Sequence, residues 1–434
     1  EYYQVFQEDM STVKSNMRER VFPIDKSYLY FNLNVLSVMG IWNPWEEGYK
    51  YWVYKIYEWY VIIVIMAMRL TAILVRGISA EDTTQLLQEF SLLAVEAADT
   101  IKYIAYIFHR EEVLELCSAF NWDRHLLGTE EITQFRNKVL THSLSSSKTF
   151  TIAIVVAVIL YYCFYYYAAL GYSEYQLDKL PIRTVPLKYC FILTNFWVAF
   201  ICDYITFTWL GLIAVTHDAF IMALMINITS QLEILNFRLE KCHREIFEIS
   251  NDKIPQVPNL IHFECVEREM NGKSVTLDPN AELINCIKFH QHIIKMLNMF
   301  RAIYDKALLP QLLISLLLVS MSAFQMILGQ QGDQSTSDSV GALVFLIACI
   351  LQLLAFCWGG NIILVESEKT SDSLYASHWY YRNTTFRNNV KIFLGAIKNP
   401  LIVSAGGLVD LSAETFKNIL TKGYSASTVL KNTA

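Results

Sequence analysis

The chain has 434 residues, of which 54% are hydrophobic and 18% are charged, and its net charge is −6. Soluble domains carry about 25% charged residues, so the excess apolar surface must face lipid or lie inside a helical bundle. The acidic balance gives no sign of a nucleic-acid partner. The nine cysteines form no CxxC pair, and no nucleotide-binding or protease motif is present. We therefore expect no enzyme, no metal site and no cofactor.

Six segments are candidates to span a membrane, because a spanning helix needs about 20 mostly apolar residues. In chain order they are 52–75, 83–108, 149–172, 191–226, 307–328 and 341–365. The third, fifth and sixth are uncharged, whereas the fourth carries Asp203, His217 and Asp218. The second is the least apolar of the six, since four charged residues interrupt it: Glu89, Glu96, Asp99 and Lys102. Weak spans are typical of helices that face protein or water rather than lipid.

The distribution of Lys and Arg orients these spans when 411–434 is taken as the seventh. Seven spans place the two ends of the chain on opposite sides, and the cytoplasmic side carries the excess of positive charge. The segments on one side hold 25 Lys and Arg, against four on the other. We therefore predict an all-α membrane protein of seven transmembrane helices, with a cytoplasmic N-terminus and an extracellular C-terminus. This is the reverse of a G-protein-coupled receptor.

Apolar stripes continue beyond the fourth span and before the fifth, for example through Leu232, Leu235 and Leu239. Such amphipathic extensions pack together in the cytoplasm, in what we name the anchor layer. The predicted organisation is a cytoplasmic segment 1–50, helices 1–4 over 51–229, cytoplasmic extensions over 230–306 with a loop at 251–281, helices 5–6 over 307–366, a cytoplasmic anchor helix over 367–400 and a last helix over 411–434.

Three stretches of the chain resemble insect odorant receptors: FPIDKSYLYFNLNVLSVMGIW near the start, LYASHWYYR after the sixth span, and NPLIVSAGGLVDLSAETFKNILTKGYSASTVL at the end. The resemblance implies a tetrameric, odorant-gated, non-selective cation channel in the plasma membrane of a sensory dendrite. Its partners would be a small volatile odorant, permeant cations and the lipid bilayer. Receptors tuned to a ligand assemble with a shared co-receptor in a heterotetramer, a homotetramer being the alternative. That co-receptor has a much longer second intracellular loop than 251–281, so a tuning subunit is expected.

Two other readings stay open at this point, a gustatory-type ligand-gated channel and a metabotropic seven-helix chemoreceptor. The terminal motif of gustatory receptors, a Thr-Tyr pair followed by an apolar run and Gln-Phe, is absent here. The charge bias argues against the metabotropic topology. A secondary transporter is disfavoured because no repeated pair of broken helices occurs.

The last helix has a polar stripe that suits the lining of a pore. On an ideal helix, four residues fall within about 60° of Ser425: Thr421, Thr428, Val429 and Asn432. Apolar residues, Phe416 among them, fall on the opposite side. Because hydrophobic constrictions close pores by dewetting, we expect Val429 to contribute to the gate. The alternative is that Val429 packs against a neighbouring helix.

A volatile ligand requires a dry, aromatic cavity with one or two polar groups. The resemblance places this pocket in the outer halves of helices two, three, four and six. The candidate lining residues there are Phe90, Ala94, Tyr161, Tyr162, Tyr165, Tyr166, Phe196, Phe200, Tyr204 and Phe345. The alternative for any single tyrosine is an interfacial or core position. The neighbouring pair His217 and Asp218 either holds the bundle together or belongs to the coupling between pocket and pore.

The anchor layer is the expected contact between subunits, because apolar surface surrounded by water provides the driving force that lipid-facing helices lack. Trp379 and Tyr380 of the WYYR stretch are the predicted interface residues, together with Phe416 at the start of the last helix. A tyrosine-rich core within one subunit is the alternative.

Overall fold

The computed structural model describes residues 29–45, 47–63, 83–120, 130–169, 196–242, 279–329 and 336–433. Its ten α-helices within these ranges are α1 Tyr30–Val38, α2 Tyr49–Tyr60, α3 Thr83–Phe108, α4 Arg110–Ala119, α5 Glu130–Ala169, α6 Phe196–Lys241, α7 Pro279–Gly329, α8 Thr336–Tyr375, α9 Thr384–Ala396 and α10 Ala413–Thr433. A 3-10 helix covers Trp379–Tyr381, and strands β1 Ser404–Ala405 and β2 Val409–Asp410 form an antiparallel hairpin.

Within the described residues, four helices, α5 to α8, are long and apolar enough to cross a membrane. They contain the described parts of the four strongest spans of the sequence, so the predicted helical membrane fold is confirmed. The weaker segment 83–108 forms α3. The segment 52–75 begins in α2, and its residues 64–75 lie outside the described part of the chain.

The two longest helices, α6 and α7, form the centre of the molecule. Helix α6 packs against α5 and α8, while α7 packs against α3, α8 and α10. Buried hydroxyls in α6 bond to carbonyls one turn earlier, as Thr216 does to Leu212 at 2.7 Å and Ser230 to Ile226 at 2.9 Å. These bonds satisfy the hydroxyls within the helix, so polar residues are accommodated in an apolar core.

Both central helices are longer than a bilayer requires. Helix α6 has 46 residues and α7 has 51, which at a rise of 1.5 Å per residue corresponds to roughly 70 Å or more each. The hydrocarbon core of a membrane is only about 30 Å thick. The excess length packs within the subunit, since Leu232, Leu235 and Leu239 are fully buried together with Phe289 and Leu297 of α7.

The region 367–400, predicted as one anchor helix, consists of three pieces. Helix α8 continues to Tyr375, the 3-10 helix follows, and α9 begins at Thr384. His378 has a positive φ of 49°, in the left-handed region, and so breaks the helix. Asn383 then starts α9 by accepting a hydrogen bond from the Phe386 backbone N–H at 2.8 Å. Residues 1–28 and 243–278, which include most of the predicted loop, lie outside the described residues.

Candidate ligand pocket and pore helix

Five aromatic residues of α5 and α6 pack together and are named here the aromatic cluster: Tyr162, Tyr166, Phe200, Tyr204 and Phe207. Tyr166 lies at its centre, 3% exposed, with ring centroids 5.3 Å from Phe200 and 5.0 Å from Tyr204. These T-shaped contacts place ring edges against ring faces, which favours a defined arrangement.

The aromatic cluster also contains polar groups. The Tyr166 hydroxyl donates to Asp203 Oδ2 at 2.8 Å, and both side chains are buried. The Tyr204 hydroxyl lies 3.3 Å from the Cys163 sulfur. A Cβ added at Gly211 would come within 2.5 Å of the Tyr162 hydroxyl, so this glycine permits close approach of the ring to α6. The cluster therefore combines ring surfaces with hydroxyls that can exchange hydrogen bonds with a small ligand.

Two further predicted pocket residues lie beside the aromatic cluster, and a third lies at the surface. Phe196 stacks on Phe200 with centroids 5.8 Å apart, and Tyr161 packs edge-on against Tyr162 at 5.2 Å. Phe90 is 47% exposed on α3. The side chain of Tyr165 lies outside the described residues.

Ala94 and Phe345 belong to a second group, which we name the α3–α8 cluster. Buried Ala94 shares it with Leu318, Val319 and Cys349, and Phe345 packs against it. The cluster also receives Leu420 from α10. The candidate pocket residues are thus divided between two clusters, and the second of them contacts the last helix directly.

Buried charged groups join three helices next to these clusters. Lys102 of α3 is 1% exposed, and its Nζ lies 2.8 Å from Asp99 Oδ1 and 2.5 Å from Asp218 Oδ1 of α6. Gln352 of α8 donates to Asp218 Oδ2 at 2.6 Å. His217 instead makes edge-on ring contacts with Tyr106 at 5.7 Å and Tyr304 at 6.1 Å. Asp218 therefore joins the helices through Lys102 and Gln352.

Helix α10 has one packed face and one exposed face. Phe416, Ile419 and Leu420 pack on the core, and a Cβ at Gly423 would lie 2.9 Å from Val319 of α7. Thr421 and Ser425 are exposed, and their hydroxyls bond to carbonyls one turn earlier at 2.9 Å. The Thr428 hydroxyl likewise bonds to the Ser425 carbonyl at 2.7 Å. The side chains of Val429 and Asn432 lie outside the described residues.

The hairpin before α10 is held by α7. The Asp305 carboxylate accepts hydrogen bonds from the Ser404 hydroxyl at 3.0 Å and the Gly407 N–H at 3.1 Å. The Arg301 guanidinium donates to the Ile402 carbonyl. Gly406 and Gly407 have φ of 63° and 64°, which glycine adopts without strain in the turn.

Helix α8 provides a second support for the start of α10. A Cβ added at Gly360 would lie 2.4 Å from the Leu411 carbonyl oxygen. The Asn361 side chain accepts a hydrogen bond from the Ala413 N–H at 3.2 Å. The start of the last helix is therefore fixed to both α7 and α8.

The three predicted interface residues differ in their surroundings. Trp379 and Phe416 are half-buried against the core of their own subunit. Tyr380 is 43% exposed, and the neighbouring Tyr381 is 82% exposed. Of the two predicted interface residues in the WYYR stretch, Tyr380 is more exposed than Trp379.

Several site residues were not predicted from the sequence. Phe207 was not among the candidates of the fourth span, Lys102 was noted only as a charge that interrupts the second span, and Asp305 lies within α7. A charged residue inside a weak span is the signal that points to Lys102, because burial of such a group requires a partner. Asp218 is 116 residues away, so its identity as that partner depends on the fold.

These features define a multi-pass helical membrane protein. A family model described as 7tm Odorant receptor matches residues 82–424. The chain belongs to this odorant receptor family.

Similar proteins include two receptors and a co-receptor. Odorant receptor 22b of Drosophila melanogaster is 24% identical over 150 residues, which are 35% of this chain and 37% of that receptor. Odorant receptor 59b of the same species is 21% identical over 182 residues, covering 39% and 43%. The odorant receptor coreceptor of Aedes albopictus is 24% identical over 157 residues, covering 35% and 32%. The matched segments thus span less than half of each relative.

Solved structures match over nearly the whole chain. The olfactory receptor OR5 of Machilis hrabei has a TM-score of 0.73 at 14% identity, covering 93% of this chain and 97% of that one. The same receptor in complex with eugenol has a TM-score of 0.74 at 13% identity, covering 94% and 98%. The chain therefore has the insect olfactory receptor fold.

Proposed function

We propose that the chain is a subunit of an odorant-gated, non-selective cation channel of the plasma membrane. In this proposal its N-terminus is cytoplasmic and its last helix, α10, is the pore helix. The observation that carries the proposal is the two-sided character of α10. Its hydroxyl-bearing residues Thr421 and Ser425 are exposed, whereas Phe416, Ile419 and Leu420 pack on the core. A helix of this kind is stable in a membrane when its polar face borders water.

The ligand is proposed to be a small volatile organic molecule bound at the aromatic cluster. Buried and half-buried rings provide apolar contact area. The Tyr166–Asp203 and Tyr204–Cys163 contacts provide polar groups that can orient an oxygen or hydroxyl. The eugenol complex of the Machilis hrabei receptor supports this assignment, because that receptor has the same fold.

Coupling from pocket to pore is proposed to run through the α3–α8 cluster. Ala94 of α3 and Phe345 of α8 contact the same group of side chains as Leu420 of α10. A ligand that moves α3 or α8 therefore changes the packing of the pore helix at Leu420. Val429, about two and a half turns further along α10 than Leu420, is proposed to form the closed gate by dewetting.

The channel is proposed to be a heterotetramer with the odorant receptor co-receptor, with a homotetramer as the alternative. The similarity to the Aedes albopictus coreceptor supports a shared architecture between the two subunit types. Trp379, Tyr380 and Phe416 are the proposed interface residues.

Whole-cell current during application of an odorant panel tests this function. The chain is expressed alone, with a co-receptor, and as the Val429→Ala variant with that co-receptor. We expect a cation current that requires no added nucleotide, and a larger ligand-free current in the variant. Surface-labelled receptor that carries no current under any odorant, alone or with the co-receptor, would contradict the channel assignment.

A further inference from the structure

Helix α6 contains one glycine, Gly211, and it lies in the interior of the helix. Glycine forms helices less readily than alanine, because it loses more conformational freedom when the chain folds. Gly211 does not have a positive φ, so its backbone conformation does not require glycine. The reason for a glycine at this position must therefore lie in what packs against it.

Tyr162 of α5 occupies the space that a side chain at position 211 would need. A Cβ added at Gly211 would lie 2.5 Å from the Tyr162 hydroxyl oxygen, 2.6 Å from its Cε2 and 2.9 Å from its Cζ. All three distances are shorter than the 3.0 Å that real Cβ atoms keep from their neighbours. Because two ring carbons are involved as well as the hydroxyl, only a movement of the ring away from α6 would relieve these contacts.

The Tyr162 ring belongs to the aromatic cluster and lies along one turn of α6. Its centroid is 4.6 Å from that of Phe207 and 5.2 Å from that of Tyr161. Phe207 lies one helical turn before Gly211, so the ring packs against Phe207 and its hydroxyl end lies at Gly211. The position of this ring in the aromatic cluster therefore depends on the absence of a side chain at 211.

We propose that Gly211 determines the ligand specificity of the aromatic cluster by positioning Tyr162 against α6. This inference rests on the proposed function, in which the aromatic cluster binds the odorant. A methyl group added between α5 and α6 reduces the space for a ligand, because the ring that it displaces must take up volume elsewhere in the cluster. With Gly211 the receptor accepts longer volatile molecules than it would with alanine. Gly211 is thus a positioning residue that acts through Tyr162.

A double-mutant cycle of thermal stability tests the positioning without any ligand. The Tm of the purified full-length receptor is measured for wild type, Gly211→Ala, Tyr162→Ala and the double variant. We expect alanine at 211 to lower the Tm by about 2 °C or more when Tyr162 is present. It should not lower the Tm in the Tyr162→Ala background, because no ring then competes for the space. Additive effects of the two substitutions would overturn the positioning of Tyr162 by Gly211.

Ligand specificity is tested with two homologous series, the 1-alkanols from butanol to decanol and their acetates. Affinities are obtained from the rise in Tm that each ligand produces, a readout that requires no channel current. In Gly211→Ala we expect the affinity of the longest ligands relative to the shortest to fall about tenfold, as is usual for one methylene group in an apolar site. Gly395→Ala is the matched control, because a Cβ there has no neighbour within 4 Å, and it should keep the wild-type ratio.

Tyr162→Ala alone keeps the specificity testable if Gly211→Ala fails to fold. Removal of the ring should shift the affinity ratio in the opposite direction, towards longer ligands. An affinity ratio that equals the wild-type ratio in both single variants, or a uniform weakening of all ligands, would refute the role in specificity. Failure of the channel assignment is distinguishable, since it appears as a wild-type receptor that these ligands stabilise but that carries no current.

Discussion

At the scale of single residues, the most informative feature is the buried ion pair between Lys102 and Asp218. Two ionised side chains that are nearly inaccessible to solvent are tolerated because they contact each other and because Gln352 donates to the second carboxylate oxygen. Removal of one partner is costly, since the remaining charge is left buried without compensation. The pair thus joins α3 to α6 and α8 at one point in the bundle.

We expect Lys102→Met to destabilise the receptor by about 3–5 kcal/mol. The double variant Lys102→Met with Asp218→Asn should recover part of this loss, because it removes both charges. Lys295→Met is the matched control: its ion pair with Glu115 at 2.9 Å is partly exposed, and such pairs contribute about 0–1 kcal/mol. The measurement is the fraction of monodisperse receptor remaining after heating. Equal melting of the two single variants would contradict a structural role for Lys102.

At the scale of elements, the hairpin between α9 and α10 determines where the last helix begins. Asp305 holds the turn through Ser404 and Gly407, while Gly360 and Asn361 of α8 fix Leu411 and Ala413. We therefore expect a movement of α7 or α8 to be transmitted to the start of α10 through these contacts.

We predict that Asp305→Ala changes gating while the receptor still reaches the cell surface. The substitution removes the acceptor of two hydrogen bonds that hold the hairpin, so the link between α7 and α10 is weakened. The odorant dose–response curve should shift by roughly threefold or more, in line with a loss of about 1 kcal/mol. Asp305→Asn keeps a carbonyl oxygen at the same place and should stay close to wild type. Identical curves for wild type and the alanine variant would rule out this role.

The elements differ in how far the sequence alone predicts them. The spans in α5, α7 and α8 follow from uncharged apolar runs, and the span in α6 follows from a run that is apolar apart from Asp203, His217 and Asp218. A helix is the structure that satisfies the backbone of such segments in lipid. The break at His378 depends on one residue with positive φ, and no proline or glycine marks it. The stripe of α10 follows from helical periodicity, whereas the division of Ala94 and Tyr166 between two clusters depends on which helices are neighbours. That information lies in long-range packing, which a single sequence does not contain.

At the scale of the whole molecule, the helices extend well beyond the thickness of a bilayer, and the excess of α6 and α7 is packed in a core with α9. This core leaves exposed aromatic residues at the 3-10 helix. Tyr380 and Tyr381 are 43% and 82% exposed, and aromatic residues are enriched at protein interfaces.

Tyr380→Ala should weaken assembly without unfolding the subunit. The ring is 43% exposed and contacts its sequence neighbours Trp379 and Tyr381, so its loss removes exposed aromatic surface more than core packing. Tyr167→Ala is the control, because Tyr167 is 75% exposed on α5, outside the anchor layer. The measurement is the ratio of tetramer to monomer in mild detergent. A tetramer as stable in Tyr380→Ala as in the control would place the subunit contact elsewhere.

The lining of the pore by α10 is the central claim, and cysteine accessibility tests it most directly. Odorant-evoked current is recorded from Ser425→Cys, on the exposed face, and from Ile419→Cys, on the packed face, before and after a small cationic thiol reagent. We predict a current reduced by half or more in Ser425→Cys, only while the channel is open, and an unchanged current in Ile419→Cys. Block of Ile419→Cys with no effect on Ser425→Cys would show that the opposite face, or another helix, borders the conduction pathway.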